Sequence, residues 1–191
     1  MRAARSARAC RLCDGELALG PRPVFKLHTE ARVMIVGQAP GTRARETGLP
    51  FNDRSGDRLR DWLGVDRETF YGDKRLGILP MGLCYPGVDD KGGDLPPMKI
   101  CAPTWHPRLV PLLPRLELVL LVGQYAQAYY LGAKRRPTLT ETVRAWRDFG
   151  PRFLPLPHPS WRNTGWLKRH RWFEAEVLPE TRARVKQLLE A

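Results

Sequence analysis

Four short apolar runs punctuate the chain: Val33-Met34-Ile35-Val36, residues 77–83, Leu118-Val119-Leu120-Leu121-Val122 and residues 152–156. None alternates apolar with polar and none is long enough for a helix. A continuous run of this length predicts a strand covered on both faces. Between them the apolar positions fall at helical spacing. Leu59, Trp62, Leu63 and Val65 recur among charged residues, and Gly64 marks a stop. Residues 102–116 read as a helix kept short or irregular by Pro103, Pro107, Pro111 and Pro114, and residues 124–131 as a small-residue helix in which Ala126 and Ala128 permit close packing. Residues 140–149 predict a helix capped by Thr140, and residues 166–189 one or two closing helices interrupted near Pro179. Strands alternating with helices, joined by connections long enough to cross over, predict an α/β chain: a three-layer α/β/α arrangement with a mostly parallel four-stranded central sheet.

Two strand ends then stand out. The first run stops in Gly37-Gln38-Ala39-Pro40-Gly41, where two glycines free the turn and one proline stiffens it. The last run stops in Pro157-His158-Pro159-Ser160-Trp161-Arg162-Asn163, again held by prolines. Ligands of open α/β sheets sit beyond the carboxyl ends of strands, so both loops are expected to face one cleft. Phe51, beside Pro50, reads from its neighbours as an anchor packing a loop down, and Asp53 as a helix cap.

A chain of 191 residues with 42% hydrophobic content supports one domain, residues 1–191. Its net charge of +12, with 32 Lys and Arg, attracts polyanions, although a basic surface also serves solubility or follows from an Arg-rich genome. No apolar stretch reaches membrane-spanning length, and the basic start lacks the apolar core of a signal peptide, so the expected location is cytoplasmic. Four cysteines in that compartment read as thiolate ligands or plain thiols. Cys10 and Cys13 form a CxxC in the N-terminal segment 1–24, while Cys84 and Cys101 bracket a Gly- and Pro-rich loop, residues 85–100, with no sign of regular structure. Zinc and an iron–sulfur cluster suit this donor set equally, and either would pin the loop and the N-terminal segment to the domain.

The order CxxC, GQAPG, Pro50-Phe51, Cys84, Cys101, Val122-Gly123-Gln124-Tyr125-Ala126, His158-Pro159-Ser160 resembles the uracil-DNA glycosylase superfamily from Cys10 to the last strand. More narrowly it is similar to the bacterial and archaeal family 4 enzymes, which hold a [4Fe–4S] cluster on four cysteines. The resemblance implies hydrolysis of the bond between uracil, or a related deaminated base, and its sugar in DNA, by base flipping and water attack. It assigns Gly37, Gln38, Ala39, Pro40 and Gly41 to the base pocket and the attacking water, Phe51 to stacking on the base, and His158 to the developing charge on the departing base. Pro159, Ser160 and the residues through Asn163 match the loop that presses on the DNA backbone. Cys10, Cys13, Cys84 and Cys101 match the cluster ligands, tilting the choice from zinc to iron–sulfur. A DNA partner and a monomer are expected.

Departures accompany the likeness. Family 4 enzymes usually carry Glu where Gln38 stands, and the commonest uracil enzymes carry Asp where Ala39 stands, so the usual water-activating carboxylate is missing: either backbone groups position the water, or a nearby carboxylate such as Asp53 substitutes. An Asn that reads the pyrimidine edge before the third cysteine is absent from residues 79–83, which leaves Asn52 as its replacement. An iron–sulfur nucleic-acid-binding protein of the same fold, with little or no glycosylase activity, is the alternative. His28, His106 and His170 are read as surface residues.

Overall fold

In the computed structural model, which describes residues 2–90 and 92–190, the four apolar runs lie side by side. Strands β1 (Val33–Val36), β2 (Leu76–Ile78), β3 (Leu118–Val122) and β4 (Phe153–Leu156) form one sheet in the order β2-β1-β3-β4. Every pairing is parallel, with Val33 opposite both Leu76 and Leu118 and Val119 opposite Phe153. Successive side chains point to opposite faces, so one apolar run supplies two cores. Val33, Ile35, Leu118, Leu120, Leu154 and Leu156 join Leu59, Trp62, Phe173 and Val185 on one side. Met34, Val36, Val119 and Leu121 join Phe25, Trp105, Leu109 and Ala126 on the other. The three-layer α/β/α expectation therefore holds. Pro155 is tolerated within β4 because that strand is an edge of the sheet.

The second strand is shorter than its apolar run. Beyond Ile78, Pro80 has no N–H to offer a ladder, and its neighbours bond to the loop after β1 instead. Leu79 N–H donates to Ile35 O, Met81 N–H to Gly37 O and Gly82 N–H to Gln38 O, each at 2.9 Å. What reads as strand is a loop wall laid against the first motif.

Nine α-helices complete the described residues: α1 (Arg2–Arg8), α2 (Thr42–Thr47), α3 (Arg54–Leu63), α4 (Arg67–Gly72), α5 (Cys101–Leu109), α6 (Gln124–Leu131), α7 (Leu139–Arg144), α8 (Thr164–Arg169) and α9 (Leu178–Glu190). The apolar pattern does not announce α1, α2 or α4, which are only six or seven residues long. Helix α1 buries Ala7 completely in the second core, and the Arg8 guanidinium lies 4.4 Å from the Phe25 ring centroid, so the N-terminal segment has packing of its own. Asp53 caps α3 by accepting from Gly56 N–H, and Gly64, at φ 67°, ends it. Thr138, not Thr140, caps α7, in a reciprocal box with Glu141; the Thr140 hydroxyl instead accepts from the Trp166 indole at 2.8 Å. Pro179 does not break the closing helix. It lies in the first turn of α9, directly after a π turn over Phe173–Val177 that widens the backbone where the ring would strike a preceding carbonyl.

Candidate active site

The loops after β1 and β4 do face one pocket. Gly37, Ala39, Pro40 and Gly41 form one wall, Phe51 and Asp53 another, and His158 a third, with Pro80 and Asp94 completing the lining. Gly37 is required by a close approach, since a Cβ there would stand 2.8 Å from Phe51 Cζ. Phe51 itself holds φ +54°, a left-handed conformation unusual for an aromatic residue. Its carbonyl is fixed in that pose: Tyr71 OH donates to Phe51 O at 3.1 Å, and a Cβ on Gly56 would fall 1.7 Å from the same oxygen. Phe51 packs against the first core and also lines the pocket.

His158 is held from three sides. Ser160 N–H donates to Nδ1 at 3.2 Å, which leaves Nε2 to carry the proton of the neutral ring. Asn163 Nδ2 donates to His158 O at 2.7 Å. Gly123, at φ +86° after β3, backs the residue on a third side; a Cβ there would be in ordinary contact with His158 Cβ at 3.6 Å, so the positive φ rather than lack of space calls for glycine. Burial lowers the imidazole pKa, and the charges of Asp94 and Asp53 oppose that shift only in part. The neutral tautomer is thus the resident one.

The remaining predicted residues divide. Gln38 turns out of the pocket and donates from Nε2 to Leu95 O at 2.9 Å, lining an adjoining groove with Ser160, Arg162 and Asn163. Ser160 acts through its backbone; its hydroxyl accepts from Arg162 N–H at 3.3 Å. Asn52 does not join the site, because its side chain donates to Thr47 Oγ1 at 3.1 Å and accepts from Arg67 at 2.8 Å. Asp53 uses Oδ1 on the α3 cap at 2.9 Å. Asp94 is the addition. Sequence reasoning passed over it inside the loop between Cys84 and Cys101, where the only signal was a carboxylate at a Gly-Gly tip.

The same loop ends at a second pocket. Cys10, Cys13, Cys84 and Cys101 line it together with Pro21, Pro23, Leu83 and Met98. All four thiols are free, and burial together with the neighbouring sulfurs raises Cys84 to about 11 and Cys101 to about 12. Leu83 N–H already points at Cys101 Sγ at 3.2 Å. Among the described residues no group of three or more His, Cys, Asp or Glu side chains is drawn in to hold a metal ion as arranged. The donor set nevertheless fits a thiophilic centre: four sulfurs from three chain segments face one apolar pocket, with an amide N–H aimed at one of them.

The uracil DNA glycosylase superfamily model matches residues 25–182, most of the chain. The chain belongs to that superfamily. Among solved structures, the solution NMR structure of a provisionally assigned uracil DNA glycosylase from Methanosarcina acetivorans is similar, with a TM-score of 0.50 and 17% identity over 87% of this chain and 98% of that one. At that identity the likeness speaks for the fold.

Within this member of the superfamily, His106 corrects the surface reading. It is 2% exposed, with Nε2 3.1 Å from Pro80 O and Nδ1 2.7 Å from Tyr130 OH. With Tyr130 donating to Nδ1, Nε2–H donates to the carbonyl of a pocket residue. Burial lowers the His106 pKa to about 4. His28 and His170 do lie at partly exposed positions.

Proposed function

We propose that this chain is a monofunctional DNA glycosylase that flips a uracil or related deaminated base out of DNA and hydrolyses its N-glycosidic bond, initiating base excision repair. One observation carries the reading: the Ser160 N–H to His158 Nδ1 bond fixes a neutral Nε2–H donor in a pocket also lined by the aromatic ring of Phe51. Departure of the base makes it anion-like and the sugar cation-like, so a preoriented donor on the base side lowers the barrier. Phe51 offers the flat face on which a flipped base stacks. Trp161, directly after the His158-Pro159-Ser160 turn and 69% exposed, is placed to fill the gap that the base leaves.

The basic surface suits a DNA backbone, and among the described residues no helix is long and apolar enough to cross a membrane. Cys10, Cys13, Cys84 and Cys101 would hold a [4Fe–4S] cluster, whose part here is structural: tying residues 84–101 and the N-terminal segment to the domain. Zinc on the same thiols is the alternative that iron analysis distinguishes.

The test is base release from single-stranded and duplex oligonucleotides carrying uracil, hypoxanthine or xanthine, followed by alkaline cleavage of abasic sites, with wild type beside His158→Ala. Release by wild type that disappears in the variant supports the reading. Tight DNA binding with no base released from any substrate would replace it with the binding-protein alternative.

A further inference from the structure

The usual carboxylate is missing from the loop after β1, where Gln38 and Ala39 stand, and the structure supplies another from a different part of the chain. Residues 87–89 pair with residues 93–95 as a small hairpin. Val88 and Asp94 bridge antiparallel, Asp89 N–H donates to Gly93 O at 2.8 Å, and Leu95 N–H donates to Gly87 O at 3.0 Å. The hairpin is fastened to both motif loops at once. Gln38 Nε2 donates to Leu95 O and Arg162 donates to Gly92 O, each at 2.9 Å. Asp94, between those two anchors, lines the His158 pocket and the adjoining groove alike.

We propose that Asp94 is the catalytic carboxylate of this enzyme, the base that takes the proton of the attacking water. The inference rests on the glycosylase reading above. Gln38, which occupies the family's acidic position, thereby serves in another way, its amide holding the strand that delivers the acid.

Two carboxylates line the pocket, and their engagement separates them. Asp53 is committed to the first turn of α3 through Oδ1. Among the described residues no hydrogen bond or ion pair engages the Asp94 carboxylate, which is solvent-exposed and sensed electrostatically by His158. A carboxylate with no hydrogen-bond partner keeps its lone pairs for water.

In the reaction the bond between C1′ and the base nitrogen breaks with its electron pair leaving on the base, which the His158 Nε2–H steadies. The oxygen of water bonds to C1′ and its proton passes to Asp94. Proton exchange with solvent returns the carboxylate and neutralises the base anion, so the products are an abasic sugar hydroxyl and the free base.

Single-turnover release from uracil, hypoxanthine and xanthine oligonucleotides, measured for wild type, Asp94→Asn and Asp53→Asn, tests the assignment. Loss of a positioned base is expected to slow Asp94→Asn by about 10²- to 10⁴-fold with oligonucleotide affinity held within about threefold. Formate added to Asp94→Gly should restore part of the rate. Asp53→Asn keeps a capping side chain and should lose less than Asp94→Asn. If Asp94→Asn turns over like wild type, or if Asp53→Asn is the slower variant and the one whose Gly counterpart formate rescues, Asp94 is not the base. If wild type releases none of the three bases, the glycosylase reading itself fails and this assignment falls with it.

Discussion

The two pockets that share the Cys84–Cys101 segment, one lined by Asp94 in its middle and the other by the cysteines at its ends, are built on opposite principles. Around His158 the polar framework is satisfied from within: Ser160 and Asn163 hold the histidine, Gln38 and Arg162 hold the hairpin, and Asp53 holds a helix. Around the cysteines four thiols share an apolar space, and among the described residues the polar groups that reach their sulfurs are backbone amides, Leu83 at Cys101 and Arg22 at Cys84. Thiols with pKa values near 11 and 12 are protonated at neutral pH and weak as donors or acceptors. Under the proposed function, one pocket is preorganised to act on a visiting molecule, and the other is completed by a permanent occupant that displaces the thiol protons.

Removing a cysteine should separate the two principles most sharply. Cys101→Ser is expected to abolish iron binding and its broad thiolate-to-iron absorption, and to destabilise the fold by more than about 4 kcal/mol, the range reached when a structural metal is lost. Denaturant titration with iron analysis reads both; an unchanged midpoint and unchanged metal content would make the cysteines plain buried thiols. His158→Ala should show the reverse profile. It should cost roughly 10²- to 10³-fold in base release, about 3 to 4 kcal/mol of charge stabilisation, with little change in melting temperature. Parallel losses in activity and stability would mean that His158 holds structure, and the contrast between the pockets would collapse.

How much of this was legible follows from range. The strands were readable because continuous apolar runs are local, and β1 and β3 have the bounds their runs suggest. The second run misled, since beyond Ile78 its apolar side chains are buried in the second core while the Met81 and Gly82 amides bond to Gly37 and Gln38 rather than continue a strand, and no local pattern distinguishes the two. The loops of Gly37 and His158 could be brought together because each follows a marked strand end, whereas Phe51 and Asp53, read locally as an anchor and a helix cap, joined them only through the family resemblance. Asp94 could not: its place depends on Leu95 and Gly92 finding Gln38 and Arg162, contacts 57 and 70 residues apart in the chain. His106 escaped for a similar reason, as its partners Pro80 and Tyr130 lie on other segments.

His106 also joins the two pockets. It lies on α5, which begins at Cys101, and it fixes the carbonyl of Pro80 in the pocket lining. Its pKa falls from 6.5 to about 4 on folding, so between those values the unfolded chain binds the extra proton. Stability from this residue is complete above about pH 6.5 and is lost as pH falls toward 4, in total on the order of 3 kcal/mol. Urea titrations across that window, on wild type and His106→Gln, should show the acid slope in wild type and a shallower one in the variant. Equal slopes would assign the acid sensitivity to other groups and leave His106 out of the link between the pockets.

The smallest expected effect belongs to Trp161, which directly follows the His158-Pro159-Ser160 turn. Its indole is 69% exposed, so truncation removes almost no buried area, and stability should stay within about 0.5 kcal/mol. The ring is nevertheless not loose. The Arg162 guanidinium lies 5.3 Å from its centroid, and the same side chain is tied to Gly92 of the hairpin that carries Asp94. An exposed aromatic held in register beside a base pocket is suited to enter the stack as a base leaves it. Base–aromatic stacking of this kind is worth about 1 to 3 kcal/mol. Trp161→Ala should thus lower base release from duplex DNA roughly tenfold, because the vacated position must be filled there, and lower release from single strands less, because no partner stack closes behind the base. Equal losses on both substrates would make Trp161 a general stacking platform; no loss on either would confine recognition to the walls built by Phe51 and His158.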